Sequence, residues 1–143
     1  MTISAILKQK GGDVIQVAEN ASVSEAISIM TQKRIGALVI IGTHHACMGI
    51  LSERDVMRAL HQLGPSAIDQ PVHALMSKNL ITITRNMAVD EAMALMTGYR
   101  CRHLPVIEEG QLLGMVSIGD LVNYKISETS READALKSYI QNG

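Results

Sequence analysis

The sequence predicts a mixed α+β fold in which two pseudo-symmetric β-α-β-β-α repeats pack together, with a short N-terminal segment and a C-terminal helix. Two seven-residue segments support this prediction, GILSERD at 49–55 and GMVSIGD at 114–120. Each is typical of a strand that runs into a helix opened by Ser, with Asp three residues later. Hydrophobic residues make up 47% of the 143 residues, so the chain can bury a core without disulfides.

The two halves of the chain repeat one another. A shift of 66 residues superimposes Val23 on Val89 and Leu38 on Leu104, within a series of matches that runs in one order over more than forty positions. At the two seven-residue segments the shift becomes 65, because the first copy has one extra residue in its turn. Either unit alone would expose a hydrophobic sheet face. We therefore expect the two units to pack about a pseudo-two-fold axis.

Hydrophobic periodicity and helix-start signals predict the elements of the first repeat. A short helix at 3–9 precedes it. The repeat itself is predicted to contain, in order, a strand at 14–17, a helix from a capping box at 22–25 to about residue 34, strands at 37–41 and 48–51, and a helix from Ser52. We expect Val56, Met57 and Leu60 on the inner side of that last helix.

The second repeat follows a connector that is broken at Gly64-Pro65 and forms one or two helical turns after Pro71. Its predicted elements are a strand at 80–83, a helix with an apolar stripe from Val89 to Met96, strands at 102–107 and 112–116, and a helix from Ser117. A separate C-terminal helix is predicted at 130–141, with Ala133, Leu136 and Ile140 on one face. That helix needs a packing partner, because an isolated helix of this length is marginal in water. The predicted units are 1–65, a connector at 66–79, 80–127 and 128–143.

Composition and charge narrow the function classes. The formal charge of −1 and the pI of about 6.5 do not favour binding to nucleic acid or to an anionic membrane surface. No stretch approaches 18 apolar residues, so no membrane span is predicted. Cys47 and Cys101 have no metal-type spacing and are expected to be free thiols of a cytoplasmic protein. His44, His45 and Cys47 crowd one hairpin tip, where a solvated turn is favoured over a metal site.

The repeat pattern resembles a pair of CBS domains (cystathionine beta-synthase domains), also called a Bateman module. Each copy ends in Gly-aliphatic-aliphatic-Ser-x-x-Asp, and HLPVI at 103–107 is similar to the aliphatic-Pro-aliphatic strand of that family. The resemblance covers residues 14 to about 126, without an attached enzyme domain. It implies binding of adenosine-containing ligands in clefts between the repeats. AMP is the first expectation, with ATP, NAD or S-adenosylmethionine as alternatives.

The paired Ser-x-x-Asp segments allow two interpretations. In Ser52-x-x-Asp55 and Ser117-x-x-Asp120, the carboxylate could accept hydrogen bonds from both hydroxyls of a ribose. Arg54 and the free N–H groups of the helix start would favour a phosphate nearby. The same spacing also makes a capping box, which needs no ligand. The two roles can coexist.

A basic cluster at Arg100, Arg102 and His103 leads into the predicted strand at Leu104. The resemblance places Arg102 and His103 beside a ligand phosphate, whereas the alternative is a solvated strand start with Arg100 in a surface ion pair. The first copy lacks a Pro and a basic residue at this place. We therefore rank the cleft built on Ser117 and Asp120 first, with Arg54 reaching it from the other copy.

The base of a nucleotide is expected between aliphatic side chains and backbone, because Phe and Trp are absent and only three Tyr are present. The candidates beside the base are Ile15, Ile81 and Thr82, with ordinary core packing as the alternative for the two isoleucines. Leu104 completes the set of candidate ligand-binding residues.

The leading functional hypothesis is a regulatory module, a homodimer that senses an adenine nucleotide and signals to an unidentified protein partner. A structural dimerisation module without a physiological nucleotide is the alternative. An enzyme is disfavoured, because no G-x-S-x-G, Walker-type or G-x-G-x-x-G motif occurs. No cofactor or metal is expected to be required.

Overall fold

A computed structural model describes residues 1–11 and 14–142 of the chain. It confirms the α+β class and the pair of repeats. The helices and strands are α1 (Ile3–Lys10), β1 (Gln16–Ala18), α2 (Val23–Lys33), β2 (Ala37–Ile41), β3 (Cys47–Ser52), α3 (Glu53–Leu63), α4 (Val72–Leu75), α5 (Val89–Tyr99), β4 (His103–Glu108), β5 (Gln111–Ser117) and α6 (Ile118–Asn142). Short 3-10 turns at Thr43–His45 and Gly64–Asp69 complete the connections.

The pseudo-symmetry extends to local backbone detail. Helices α2 and α5 each span 11 residues and are followed by Arg34 and Arg100, both left-handed with φ of 55°. The backbone N–H of each of these arginines donates to a carbonyl in the last turn of its helix. The hairpins β2–β3 and β4–β5 shift register at equivalent places, between Ile40 and Ile41 and between Val106 and Ile107. Both copies therefore follow the same chain path from the first helix through the hairpin.

The sheets of the two repeats differ in their first strand. In the first repeat β1 pairs parallel with β2, and β2 pairs antiparallel with β3. The predicted strand at 80–83 is wrong in its length, because this segment forms a single parallel bridge from Ile83 to Val106. The chain turns just before it, where the Leu80 N–H donates to the Lys78 carbonyl at 3.0 Å. The pairing of this segment with β4 consists of the Ile83 N–H, which donates to the Pro105 carbonyl, and the Ile83 carbonyl, which accepts from the Ile107 N–H.

Each repeat is completed by a segment that precedes the other repeat along the chain. Ile3 and Ile6 of α1 lie in the core of the second repeat, whereas Val72 of α4 lies in the core of the first. Two isolated β-bridges connect the same pairs of segments, one from Thr2 to Ala88 and one from Ser22 to Pro71. The two repeats are thus tied together by their connectors as well as by contact.

The first residue of each seven-residue segment is a glycine because another segment of the chain passes close to it. A Cβ at Gly49 would lie 2.7 Å from the carbonyl oxygen of Ser77. At Gly114 it would lie 2.6 Å from Cδ2 of Leu7 in α1. A side chain at either position would therefore displace the segment that crosses it.

Two helix predictions need correction. On α3 the buried residues are Asp55, Val56 and Ala59, whereas Met57 is 71% exposed and Leu60 is exposed as well. The prediction placed Met57 wrongly. The buried side chains of α3 lie at positions i, i+1 and i+4 counted from Asp55, and Met57 lies outside this stripe. The predicted separate C-terminal helix is continuous with the helix after Ser117, so that α6 has 25 residues. No Gly or Pro interrupts residues 120–142.

Within residues 1–11 and 14–142, no helix is long and apolar enough to cross a membrane. The same part of the chain holds no group of three or more His, Cys, Asp and Glu side chains arranged for a metal ion.

Candidate functional site

A cleft of about 1090 Å³ lies between the two repeats. Its three walls are the start of α3 in the first repeat, the connector at 77–81, and the segment 99–105 that links α5 to β4 in the second repeat. The size suits a small organic ligand. The candidate residues from the sequence that line this cleft are Ser52, Arg54, Asp55, Ile81, Arg102 and His103.

Asp55 forms the polar floor of the cleft and is 7% exposed. Its Oδ2 accepts hydrogen bonds from the Ser52 N–H at 2.9 Å and from the Ser52 hydroxyl at 3.0 Å, and the Asp55 N–H donates back to the Ser52 hydroxyl at 3.2 Å. The capping box is therefore formed. Its Oδ1 accepts from the hydroxyl of Ser77 at 3.1 Å and lies 3.4 Å from Nη1 of Arg58. An alcohol thus already binds this carboxylate from the connector side.

Cations outnumber anions on the walls of the cleft. Four arginines line it, against the two carboxylates of Glu53 and Asp55, which leaves a net charge of +2 when His103 is neutral. The four are Arg54, Arg58, Arg100 and Arg102. Guanidinium groups bind phosphates and carboxylates by paired hydrogen bonds. The electrostatics therefore favour an anionic ligand.

The apolar part of the wall is formed by Ile50, Leu80, Ile81 and Pro105, together with the ring of Tyr99. Tyr99 ends α5 and is 62% exposed. An aromatic side chain at the cleft departs from the expectation of aliphatic side chains and backbone alone. A planar ligand group could stack on this ring.

A sequence model of the CBS domain family matches the chain twice, over residues 6–62 and 72–127. This chain belongs to the CBS domain family. The protein CBSX3 of Arabidopsis thaliana, a mitochondrial CBS domain-containing protein, is 39% identical over 99% of this chain and 73% of its own length. The crystal structure of the CBS-domain protein ATU1752 from Agrobacterium tumefaciens has a TM-score of 0.84 at 36% identity, covering 87% of this chain and 92% of that one.

A further solved relative was crystallised with ligands. The CBS domain pair of the protein MJ0100, in complex with 5′-methylthioadenosine and S-adenosyl-L-methionine, has a TM-score of 0.76 at 25% identity. The alignment covers 87% of this chain and 98% of that one.

His103 lies at the start of β4 in the second CBS repeat, opposite Ser117 on β5. Burial lowers the pKa of His103, and the positive charges of Lys10 and Arg102 lower it further. The carboxylates of Asp120 and Glu53 act in the opposite direction, but the net shift is downward. The imidazole is therefore favoured in its neutral form. A phosphate in the cleft would favour the imidazolium instead.

Asp120, the equivalent of Asp55 in the second CBS repeat, is engaged by α1. Its Oδ2 accepts from the Ser117 N–H at 2.8 Å and pairs with Nζ of Lys10 at 2.8 Å, and the same ammonium donates to the Met115 carbonyl at 2.8 Å. Burial opposes ionisation of Asp120, but the hydrogen bonds from Lys10 and Ser117 outweigh it, and the pKa of the carboxyl is lowered. The sequence ranked this aspartate first for ligand binding. The structure instead gives the carboxylate an internal cation.

The remaining candidates lie apart from the lining of the cleft between the repeats. Leu104 is fully buried in the core of the second repeat, because alternation along β4 turns its side chain away from the side of His103. Ile15 packs against the core of the first repeat, and Thr82 is exposed. Leu104 and Ile15 therefore belong to the hydrophobic packing of their repeats.

Several residues that line the cleft belong to no pattern from which the sequence could have predicted them. Ser77 and Asn79 belong to the connector, where no motif marks them, and Arg58 lies one helical turn beyond Asp55. Tyr99 could have been noticed as one of only three aromatic residues in the chain.

Proposed function

We propose that this protein is a regulatory CBS module that binds an adenosine-containing nucleotide, AMP in the first place, in the cleft at Ser52 and Asp55. One observation supports this above the others. The same cleft combines a hydroxyl-binding carboxylate, four guanidinium groups and an apolar wall. The adenosine ligands of the MJ0100 CBS pair belong to the same chemical class.

Each part of a nucleotide has a complementary group in the proposed complex. A ribose hydroxyl replaces the Ser77 hydroxyl at Oδ1 of Asp55, which conserves the hydrogen bond. Arg54, Arg102 and His103 meet the phosphate, and the base lies against Ile81 and the neighbouring apolar wall. The net positive charge favours AMP, ATP or NAD over S-adenosylmethionine, whose sulfonium is itself positive.

Regulation would follow from the position of the cleft. A nucleotide there touches the first CBS repeat, the connector and the second CBS repeat, so it stabilises one relative arrangement of the repeats. A ligand shifts such an equilibrium only by its difference in affinity for the two arrangements. A protein partner that recognises the bound arrangement would receive the signal.

The proposed assembly is a homodimer. Exposed apolar side chains lie on α3 and on the first turns of α6, among them Met57, Leu63, Val122 and Ile126. Pairing with a second copy would remove this surface from water. The cytoplasm remains the proposed compartment, because Cys47 and Cys101 are free thiols and thiols stay reduced there.

Isothermal titration calorimetry with AMP, ATP, NAD and S-adenosylmethionine tests the binding proposal. Asp55→Asn keeps the shape of the side chain but removes the negative charge that accepts hydrogen bonds from the ribose. We expect AMP affinity to fall by about tenfold or more, since a charge-assisted hydrogen bond contributes roughly 1.5–3 kcal/mol. Asp120→Asn is the matched control, because it alters the equivalent capping box away from the cleft. Its AMP affinity should stay within about twofold of wild type.

Two outcomes would count against the proposal. Equal losses in both variants would show that the cleft at Asp55 has no special role. No binding of any of the four ligands would favour a structural dimerisation module, in which both Ser-x-x-Asp segments serve only as the helix caps that they form.

A further inference from the structure

The C-terminal half of α6 projects from the body of the molecule. Helix α6 has 25 residues, which corresponds to about 37 Å at a rise of about 1.5 Å per residue. Its beginning is anchored by Leu121, which is fully buried in the core of the second repeat. Residues 129–141 are all exposed. A helical segment of this length has little stability in water unless another surface covers it.

The exposed part carries a seven-residue pattern. Val122, Ile126, Thr129, Ala133, Leu136 and Ile140 follow one another at steps of four and three residues. This is the spacing of the a and d positions of a coiled coil, with Ile126, Ala133 and Ile140 at a and Val122, Thr129 and Leu136 at d. Leu136 is 60% exposed and Ile140 is 68% exposed. The seam therefore faces solvent over its whole length.

The residue types along the seam specify the partner. Ile126 and Ile140 are β-branched residues at a, and Leu136 is a leucine at d, a combination that favours two parallel strands. Beside the seam, Glu132 occupies a g position and Lys137 the following e position. In a parallel, in-register pair these two side chains meet across the interface, once on each side. A second copy of this same helix is thus complementary in charge as well as in shape.

We propose that α6, from Val122 to Ile140, forms a parallel, in-register two-stranded coiled coil with α6 of a second copy of the chain. This proposal rests on the homodimer proposed above and adds the element that joins the two copies. The coiled coil begins at Val122 at the edge of the body and runs to Ile140. It is independent of nucleotide binding, since the seam lies outside the cleft.

Disulfide cross-linking tests the register. In a Cys47→Ser, Cys101→Ser background, single cysteines are introduced at the a positions, Ala133→Cys and Ile140→Cys, and at the neighbouring b positions, Asp134→Cys and Gln141→Cys. Under mild oxidation we expect covalent dimers at 133 and 140 at least about tenfold faster than at 134 and 141, because disulfides require Cβ atoms within about 4.5 Å. Static light scattering and AMP titration are measured on each variant.

Other outcomes would overturn the proposal. Cross-linking at 133 but not at 140 would indicate antiparallel helices, because residue 140 would then lie opposite residue 126. Equal rates at all four positions, or none at any, would exclude the coiled coil. If light scattering still shows a dimer in that case, the homodimer uses a different face. If AMP still binds, the proposed nucleotide site stands.

A charge exchange gives a second test. Glu132→Lys and Lys137→Glu each place like charges across the seam, and we expect each to weaken dimerisation by roughly fivefold in sedimentation equilibrium, since exposed pairs contribute a few tenths to 1 kcal/mol each. The double variant restores opposite charges and should regain most of the affinity. Single variants with wild-type affinity, or a double variant as weak as the singles, would contradict the parallel register.

Discussion

Asp55 and Asp120 occupy equivalent positions in the two repeats, yet different groups engage them. Both close a capping box with the Ser three residues earlier. A neutral hydroxyl from Ser77 reaches Asp55, whereas the ammonium of Lys10 reaches Asp120. A ribose hydroxyl can replace the first partner without any loss of charge pairing. Replacing the second breaks an ion pair, so the two carboxylates are chemically unequal.

His103 predicts a pH dependence of nucleotide binding. In the free protein its pKa is lowered from 6.5, chiefly by burial and by Lys10. A bound phosphate raises it, so in the window between the free and bound pKa values the complex holds more protons than the free protein. AMP affinity therefore rises as the pH falls through this window, by up to about tenfold for each unit that separates the two pKa values.

The phosphate of AMP also titrates near pH 6 and weakens binding when protonated. His103→Gln isolates the contribution of the imidazole, because it keeps a polar side chain without the titration. Calorimetry across about pH 8 to 5.5 should show that the advantage of wild type over this variant grows toward low pH. A constant ratio between the two proteins would mean that His103 does not contact the phosphate. For the free protein the lowered pKa of His103 means that stability falls as the pH decreases through 6.5, because the unfolded chain takes up the proton first.

At the scale of elements, α1 decides how the second repeat differs from the first. It lies where α4 and its connector lie in the first repeat, but it has 8 residues against 4. The additional turn carries Lys10 to Asp120. This contact links residues 110 positions apart. Lys10 of α1 therefore lies beside Asp120, at the position where the family resemblance implied a nucleotide.

Removing the Lys10 side chain should change the stoichiometry of AMP binding. We expect wild type to bind one AMP per chain, and Lys10→Ala to bind a second AMP more weakly, because the carboxylate of Asp120 then lacks its cation. Calorimetric stoichiometry measures this directly. Lys8→Ala, on the same helix and exposed, is the control and should keep a stoichiometry of one. If Lys10→Ala also binds one AMP, other contacts of α1 limit the second position.

Local patterns predicted the elements better than they predicted the sites. The stripe of Val89, Ala92 and Met96 on α5 is buried as its spacing indicates, since helix periodicity is a property of neighbouring residues. The ranking of Asp120 first took no account of Lys10, because the contact of Lys10 with Asp120 depends on how α1 crosses the second repeat. Ser77 was missed for the same reason. Such pairings arise from the packing of distant segments, which no local spacing records.

At the scale of the molecule, the cleft joins two bodies with separate cores. One core contains Val23, Leu38 and Leu51, and the other contains Val89 and Leu104. A nucleotide in the cleft touches residues of both repeats, so the unfolding of either one releases it. Binding should therefore stabilise the whole module as one cooperative unit.

Thermal unfolding at a fixed protein concentration tests this coupling. At about one hundred times its Kd, AMP should add about 2.7 kcal/mol to the free energy of unfolding, which corresponds to a rise in Tm of about 5–10 °C for a chain of this size. Asp120→Asn should retain the rise, and Asp55→Asn should lose about half of it or more at the same AMP concentration, because a tenfold weaker Kd leaves about 1.4 kcal/mol. Two transitions of which AMP raises only one would show that the ligand contacts a single repeat. The nucleotide could not then report on the arrangement of the pair, and regulation would have to act through the occupied repeat alone.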